Sequence, residues 1–254
     1  MRIVSVVLLV AVVCLCPKAA YSMKIDQELS GLQNDIGRLS KIRLSKQSPL
    51  YMRFYGESLI GKSIAEWIDS RVLEVVLDPD LGACGGVGPQ GVPACVSADQ
   101  VRYRGIVFTS NTGFSNPWND SSEESKLLDN WIVRISFLIH EARHLDSLKK
   151  SDKFREGSTH TTCLDTSEYS DTSDCDNTAD GAYGFQAEFL LNVANSCVEG
   201  CTKVDRAYAR EMAQWILKNM MDSRSARQIH DDTFFGFSAK VPRWAGAHPP
   251  GRRR

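Results

Sequence analysis

From Leu128 to His144 the chain can bury its side chains in essentially one way, as a helix enclosed on two sides. Leu128, Trp131, Ile132, Ile135, Leu138, Ile139 and Ala142 recur at three- and four-residue intervals and trace one apolar stripe. At about 100° per residue, His140 and His144 fall nearly opposite the centre of that stripe, on a face shared with Val133 and Phe137. Such a helix is expected to set one face in a core and the other along a cleft. Ser121 followed by Glu124 has the form of a capping box and marks its expected start.

Within this stretch, His140-Glu141-Ala142-Arg143-His144 has the HExxH spacing. Residues four apart lie one turn apart on the same helix face. The two imidazoles can therefore grip one Zn²⁺ at about 2.0–2.1 Å. Glu141 stands next to the first ligand, where its carboxylate can take a proton from water at the metal. A catalytic zinc usually has three protein ligands, so the third must come from elsewhere.

His160 is the nearest histidine downstream and the first candidate, since a disulfide at Cys163 would fix the loop that presents it. Glu168, Asp180 and Glu188 are the carboxylate alternatives. On an expected helix over 180–194, Glu188 falls about 150° from the stripe of Ala182, Phe185, Phe189 and Val193, a placement suited to a solvated side chain. Arg143 and Asp146 flank the motif as outer contacts or salt-bridge partners. Tyr183 and His230 could stabilise an oxyanion, against plain packing or surface roles.

Residues 1–22 read as a secretory signal: Arg2, then an apolar run from Ile3 to Leu15, then Ala20-Tyr21-Ser22 as a small-x-small cleavage site. The run is shorter than the roughly 20 residues that span a membrane. Six of the eight cysteines lie beyond it, and an even number in an exported chain favours disulfides. Local pairing is expected: Cys84–Cys95, Cys163–Cys175 and Cys197–Cys201. Net charge is −1 with both signs mixed along the chain, so no basic stripe points to nucleic acid.

The remaining pattern implies one domain over 23–239, with a flexible, basic, Pro-rich tail over 240–254. Apolar spacing predicts helices over 25–46, 57–70, 180–194 and 204–221. Val72 to Leu77 and Gly105 to Thr109 read as strands, with a Gly- and Pro-rich loop over 81–93. The expected fold is α+β, mostly helical, with a small sheet and disulfide-stapled loops.

HEARHLD, followed by HTTC, CD and GAYG, resembles secreted bacterial proteins of the zincin metallopeptidase type over about residues 127–195. The resemblance implies a zincin-like fold, zinc on His140 and His144, and Glu141 as catalytic base. Ser147 and Lys150 stand where the metzincin extension has Gly and His, which excludes that subclass. Glu188 is followed four residues on by Asn192 rather than the aspartate often found in gluzincins.

The expectation is thus a secreted or periplasmic, monomeric zinc peptidase. It would act on a protein or peptide substrate, without nucleic acid and without membrane once the signal is removed. The alternative is a non-enzymatic secreted domain held by disulfides, with zinc structural or absent.

Overall fold

The computed structural model describes residues 22–77, 94–96, 105–108, 130–145, 160–163 and 175–236. They form an α+β arrangement dominated by helices. Four short strands, β1 (Lys24–Ile25), β3 (Glu74–Leu77), β4 (Ala94–Cys95) and β5 (Gly105–Phe108), make a sheet in the order β1-β3-β5-β4. β1, β3 and β5 run parallel, and β4 is antiparallel at the edge. A second sheet pairs β2 (Arg43–Leu44) with β6 (Cys197–Glu199).

The parallel step from β1 to β3 needs a crossover. It is made by α1 (Ser30–Leu39), α2 (Pro49–Tyr55) and α3 (Lys62–Asp69). The expected helix over 25–46 is therefore broken at both ends. Ile25 is held in β1, and at the far end the Ser40 hydroxyl turns back to the Gly37 carbonyl at 2.8 Å. Such back-bonding competes with helix continuation. The apolar period is nonetheless right: Leu29, Leu32, Ile36, Leu39 and Ile42 are all buried.

α3 likewise begins later than residue 57. Ile60 pairs with Arg43 alongside β2 and is 52% exposed, so it lies outside the helix's apolar face. α2 escapes periodicity because it has only 7 residues, yet its start carries the usual signs. Ser48 caps the Tyr51 amide and Pro49 takes the first helical position.

α4 (Trp131–His144) is the HEARH helix. Ser121 and Glu124 lie outside the described residues, and the observed cap is Asn130, whose side chain accepts from the Ile132 amide at 2.9 Å. The Asn130 amide and the Trp131 indole both donate to Asp205 Oδ1, at 2.9 and 3.0 Å. That ties the start of α4 to α6 (Lys203–Asn219), where Asp205 also completes a capping box with Thr202.

α5 (Ala182–Ser196) is the central element, packed against α2, α4, α6 and α7 (Ser223–Gly236). Almost all of its residues are buried, polar ones included. A Cβ on Gly184 would run into the Ala179 carbonyl, so glycine is needed there for backbone approach. No helix among the described residues is long and apolar enough to cross a membrane.

Disulfides join Cys163 to Cys175 and Cys197 to Cys201, as expected. Cys95 is also disulfide-bonded, while Cys84 lies outside the described residues. Such cross-links point to an oxidising, extracytoplasmic setting.

Candidate metal centre

α4 presents His140 and His144 one turn apart, and His160 approaches them from a separate segment. The three Nε2 atoms converge: His140 to His144 and His140 to His160 are both 3.2 Å, and His144 to His160 is 3.1 Å. A tetrahedral ion held by nitrogens at about 2.0–2.1 Å separates its ligand atoms by roughly 3.3–3.4 Å. The triangle is therefore close to the size that a small divalent ion requires.

Hydrogen bonding cannot satisfy it. A neutral imidazole has one N–H, so a proton on one Nε2 serves one neighbour and leaves another pair of lone pairs opposed.

The outer ring atoms set the tautomers. His160 Nδ1 lies 2.9 Å from Asp176 Oδ1. A proton on Nδ1 makes that bond and leaves the Nε2 lone pair facing the cluster. Asp176 is 3% exposed, and its other oxygen accepts from the Tyr183 amide at 2.7 Å. There is no room for a side chain beside it, since a Cβ on Gly181 would overlap the Asp176 carboxylate.

His140 has a different neighbour. Gln186, fully buried on α5, donates through Nε2 to Ser136 Oγ at 2.9 Å, and Ser136 donates to the Val133 carbonyl at 2.7 Å. Gln186 Oε1 and His140 Nδ1 are both buried and lack a hydrogen-bond partner among the described residues. They complement each other as acceptor and N–H donor, and Gln186 is the neighbour that favours a proton on His140. Burial, then His144 and His160, hold His140 well below the usual histidine range. It is thus a neutral imidazole, the form that binds metal.

Glu141 is 5% exposed, and burial raises its carboxyl well above the usual glutamate range. Neither nearby arginine neutralises it. Arg134 pairs with Asp35 at 2.8 Å, while Arg143 Nε donates to the Asp180 carbonyl at 2.9 Å and its guanidinium lies over Phe185. Arg143 is fully buried and so fastens the end of α4 to the start of α5.

Of the ligand candidates among the described residues, only His160 joins His140 and His144 in this cluster. Asp180 pairs instead with Arg53, and Glu168 lies outside the described residues. Glu188 corrects the sequence expectation in another way: it is not solvated but fully buried. Its carboxylate oxygens meet Ser48, Asn192 and Thr233, in a polar cluster between α2, α5 and α7. His230 is exposed on α7, next to Asp231. Tyr183 does reach the site, its ring 4.3 Å from the His140 ring and 5.0 Å from that of His160. Asp146 lies outside the described residues.

Sequence reasoning overlooked Asp176 and Gln186. The adjacent Cys175 was the available signal for Asp176, because a cysteine pair across a loop brings its neighbours together. For Gln186 there was no local signal. Asp176→Asn is expected to weaken Zn²⁺ binding by roughly 10–100-fold with the fold retained, because the asparagine can no longer draw a proton onto His160 Nδ1 as a carboxylate does. Chelator competition measures this, and an unchanged affinity would exclude the assigned role.

No protein-family model, curated protein or solved structure matches this chain.

Proposed function

We propose that this protein is a secreted or periplasmic zinc-dependent peptidase of the zincin type. The observation that carries the reading is the trio of histidine nitrogens spaced 3.1–3.2 Å apart beside a buried glutamate. His140, His144 and His160 would hold the ion. When bound there, zinc supplies Lewis acidity, polarising a carbonyl and lowering the pKa of water to about 7.

The protein's own groups account for the remainder. Asp176 orients the His160 ring through its hydrogen bond, and Gln186 Oε1 offers an acceptor for a proton on His140 Nδ1. Glu141 accepts the water's proton and returns it to the departing nitrogen, so that the leaving group departs as a neutral amine rather than as an amide anion. Burial holds this carboxyl above its usual range, which makes its ionised form a stronger proton acceptor than an exposed glutamate. The neutral His140 favours zinc capture without first losing a proton. The disulfides fit export.

The test is metal content together with hydrolysis of an unfolded protein substrate. The purified chain should carry one zinc, lose activity to a chelator and regain it with Zn²⁺. His160→Ala should weaken zinc binding by roughly 100–1,000-fold, since a structural site spreads its binding free energy over four ligands at about 3–4 kcal/mol each. Full zinc occupancy in His160→Ala would refute the ligand set. A zinc-loaded chain that hydrolyses no protein or peptide would favour the non-enzymatic reading.

A further inference from the structure

The third ligand is held differently from the other two. His140 and His144 are fixed by one continuous helix, independent of any cross-link. His160 comes from outside that helix, and its neighbour Thr161 is paired with the segment at Cys175. Thr161 pairs with Cys175 in both directions, at 2.6 Å and 3.0 Å, and the Thr161 hydroxyl also donates to the Cys175 carbonyl at 3.1 Å.

One residue before Thr161 is His160, and one residue after Cys175 is Asp176, which bonds the His160 ring at 2.9 Å. The Cys163–Cys175 disulfide closes this arrangement, with its two Cα atoms 4.9 Å apart. Outside the ring contacts, the described hydrogen bonds of His160 and Thr161 all run to Cys175 and Asp176.

Cys175 and Asp176 are themselves docked on the body. The Asp176 amide donates to the Met220 carbonyl at 2.9 Å, and the Asp222 amide donates to the Asp176 carbonyl at 3.0 Å. One side of the cross-link is therefore anchored at the corner between α6 and α7. The other side is the arm that carries His160.

We propose that oxidation of Cys163 and Cys175 is what completes the metal centre, so that the chain captures zinc tightly only after export. This rests on the proposed zinc site. Forming the bond takes two electrons and two protons from the two thiols. A disulfide-bonded oxidant receives them by thiol–disulfide exchange and leaves as its dithiol.

With the cross-link open, the arm loses its covalent tie to the Cys175–Asp176 segment and regains the freedom that closure of a short loop removes. The two α4 histidines then keep only a weak site. The loss expected from a loop of this length is on the order of a hundredfold in affinity.

Cys163→Ser/Cys175→Ser removes the cross-link without leaving a thiolate that could bind metal. Cys197→Ser/Cys201→Ser is the control, since that disulfide lies at the other end of α5. Zn²⁺ affinity is read by competition with a chromophoric chelator, with near-ultraviolet circular dichroism reporting the packed core. The first variant should bind zinc about a hundredfold more weakly than wild type, and the control within a few-fold of it.

If the first variant does not fold, the control protein is equilibrated in glutathione buffers of graded redox potential. Bound zinc and the alkylation of Cys163 and Cys175 are then followed together. Zinc release should track the opening of the bond. Retention of zinc after it opens, or equal affinity in the folded variant, overturns the oxidation requirement and leaves the zinc site standing. An oxidised wild-type chain that binds no zinc removes the site itself.

Discussion

Glu141→Gln is expected to keep its zinc and lose its turnover. The glutamine is nearly the same size and shape, so the buried pocket beside His140 stays filled and the three ligand rings keep their triangle. It cannot accept a proton as a carboxylate does. A positioned acid–base group contributes roughly 100–10,000-fold to such a reaction, and kcat should fall within that range while zinc affinity changes by less than about tenfold. Metal content and kcat measured on one preparation separate this outcome from general damage, because a misfolded site would lose both. Activity surviving the substitution would sink the proposed role.

The second large effect lies away from the metal. Burial, reinforced by Asp232, pushes the Glu188 carboxyl up to about 8 from its ordinary 4.5, against the lowering influence of Ser48, Asn192 and Thr233. Tyr51 faces it from α2 and gains no cation there, its own hydroxyl being pushed up by burial and by Glu188. Between pH 4.5 and about 8 the folded chain keeps a proton that the unfolded chain releases. Stability therefore falls as pH rises through that window, by up to about 1.4 kcal/mol per pH unit from this group. Below pH 4.5 both states are protonated and the penalty is absent; above about 8 both are ionised and it has reached its full size.

Glu188→Gln removes the ionisation while its amide can still serve Ser48 and Asn192. In denaturant titrations across pH 4.5 to 8, the variant should gain on wild type steadily, reaching several kcal/mol at the upper end as an upper bound. Parallel stability curves for the two proteins would show that Glu188 ionises in the fold as it does in water.

Glu188 also marks where one-dimensional reasoning fails. The wheel of α5 is a sound guide when one face meets water and the other meets the core. Here α2, α4, α6 and α7 surround the helix, so the direction opposite Phe185 and Phe189 is not solvent but another interior. A polar side chain there must find partners, and Ser48 and Thr233, far apart in sequence, supply them. Similarly, the period over 25–46 identified the buried residues correctly but not the helix length, which pairing of Ile25 with Val75 curtailed.

What the sequence by itself determined about the site is the part carried by a single helix. A four-residue spacing puts His140 and His144 on one face, and adjacency puts Glu141 beside them, through bond geometry alone. The cysteine spacing likewise foretold the pairs Cys163–Cys175 and Cys197–Cys201. Tertiary structure decided which side chain joins the two histidines. Among the described candidates, His160, Asp180 and Glu188 were all chemically eligible, and only distance through space could separate them. The disulfide-held arm brings His160 to 3.1–3.2 Å, while Arg53 takes Asp180 and the crowded interior of α5 takes Glu188.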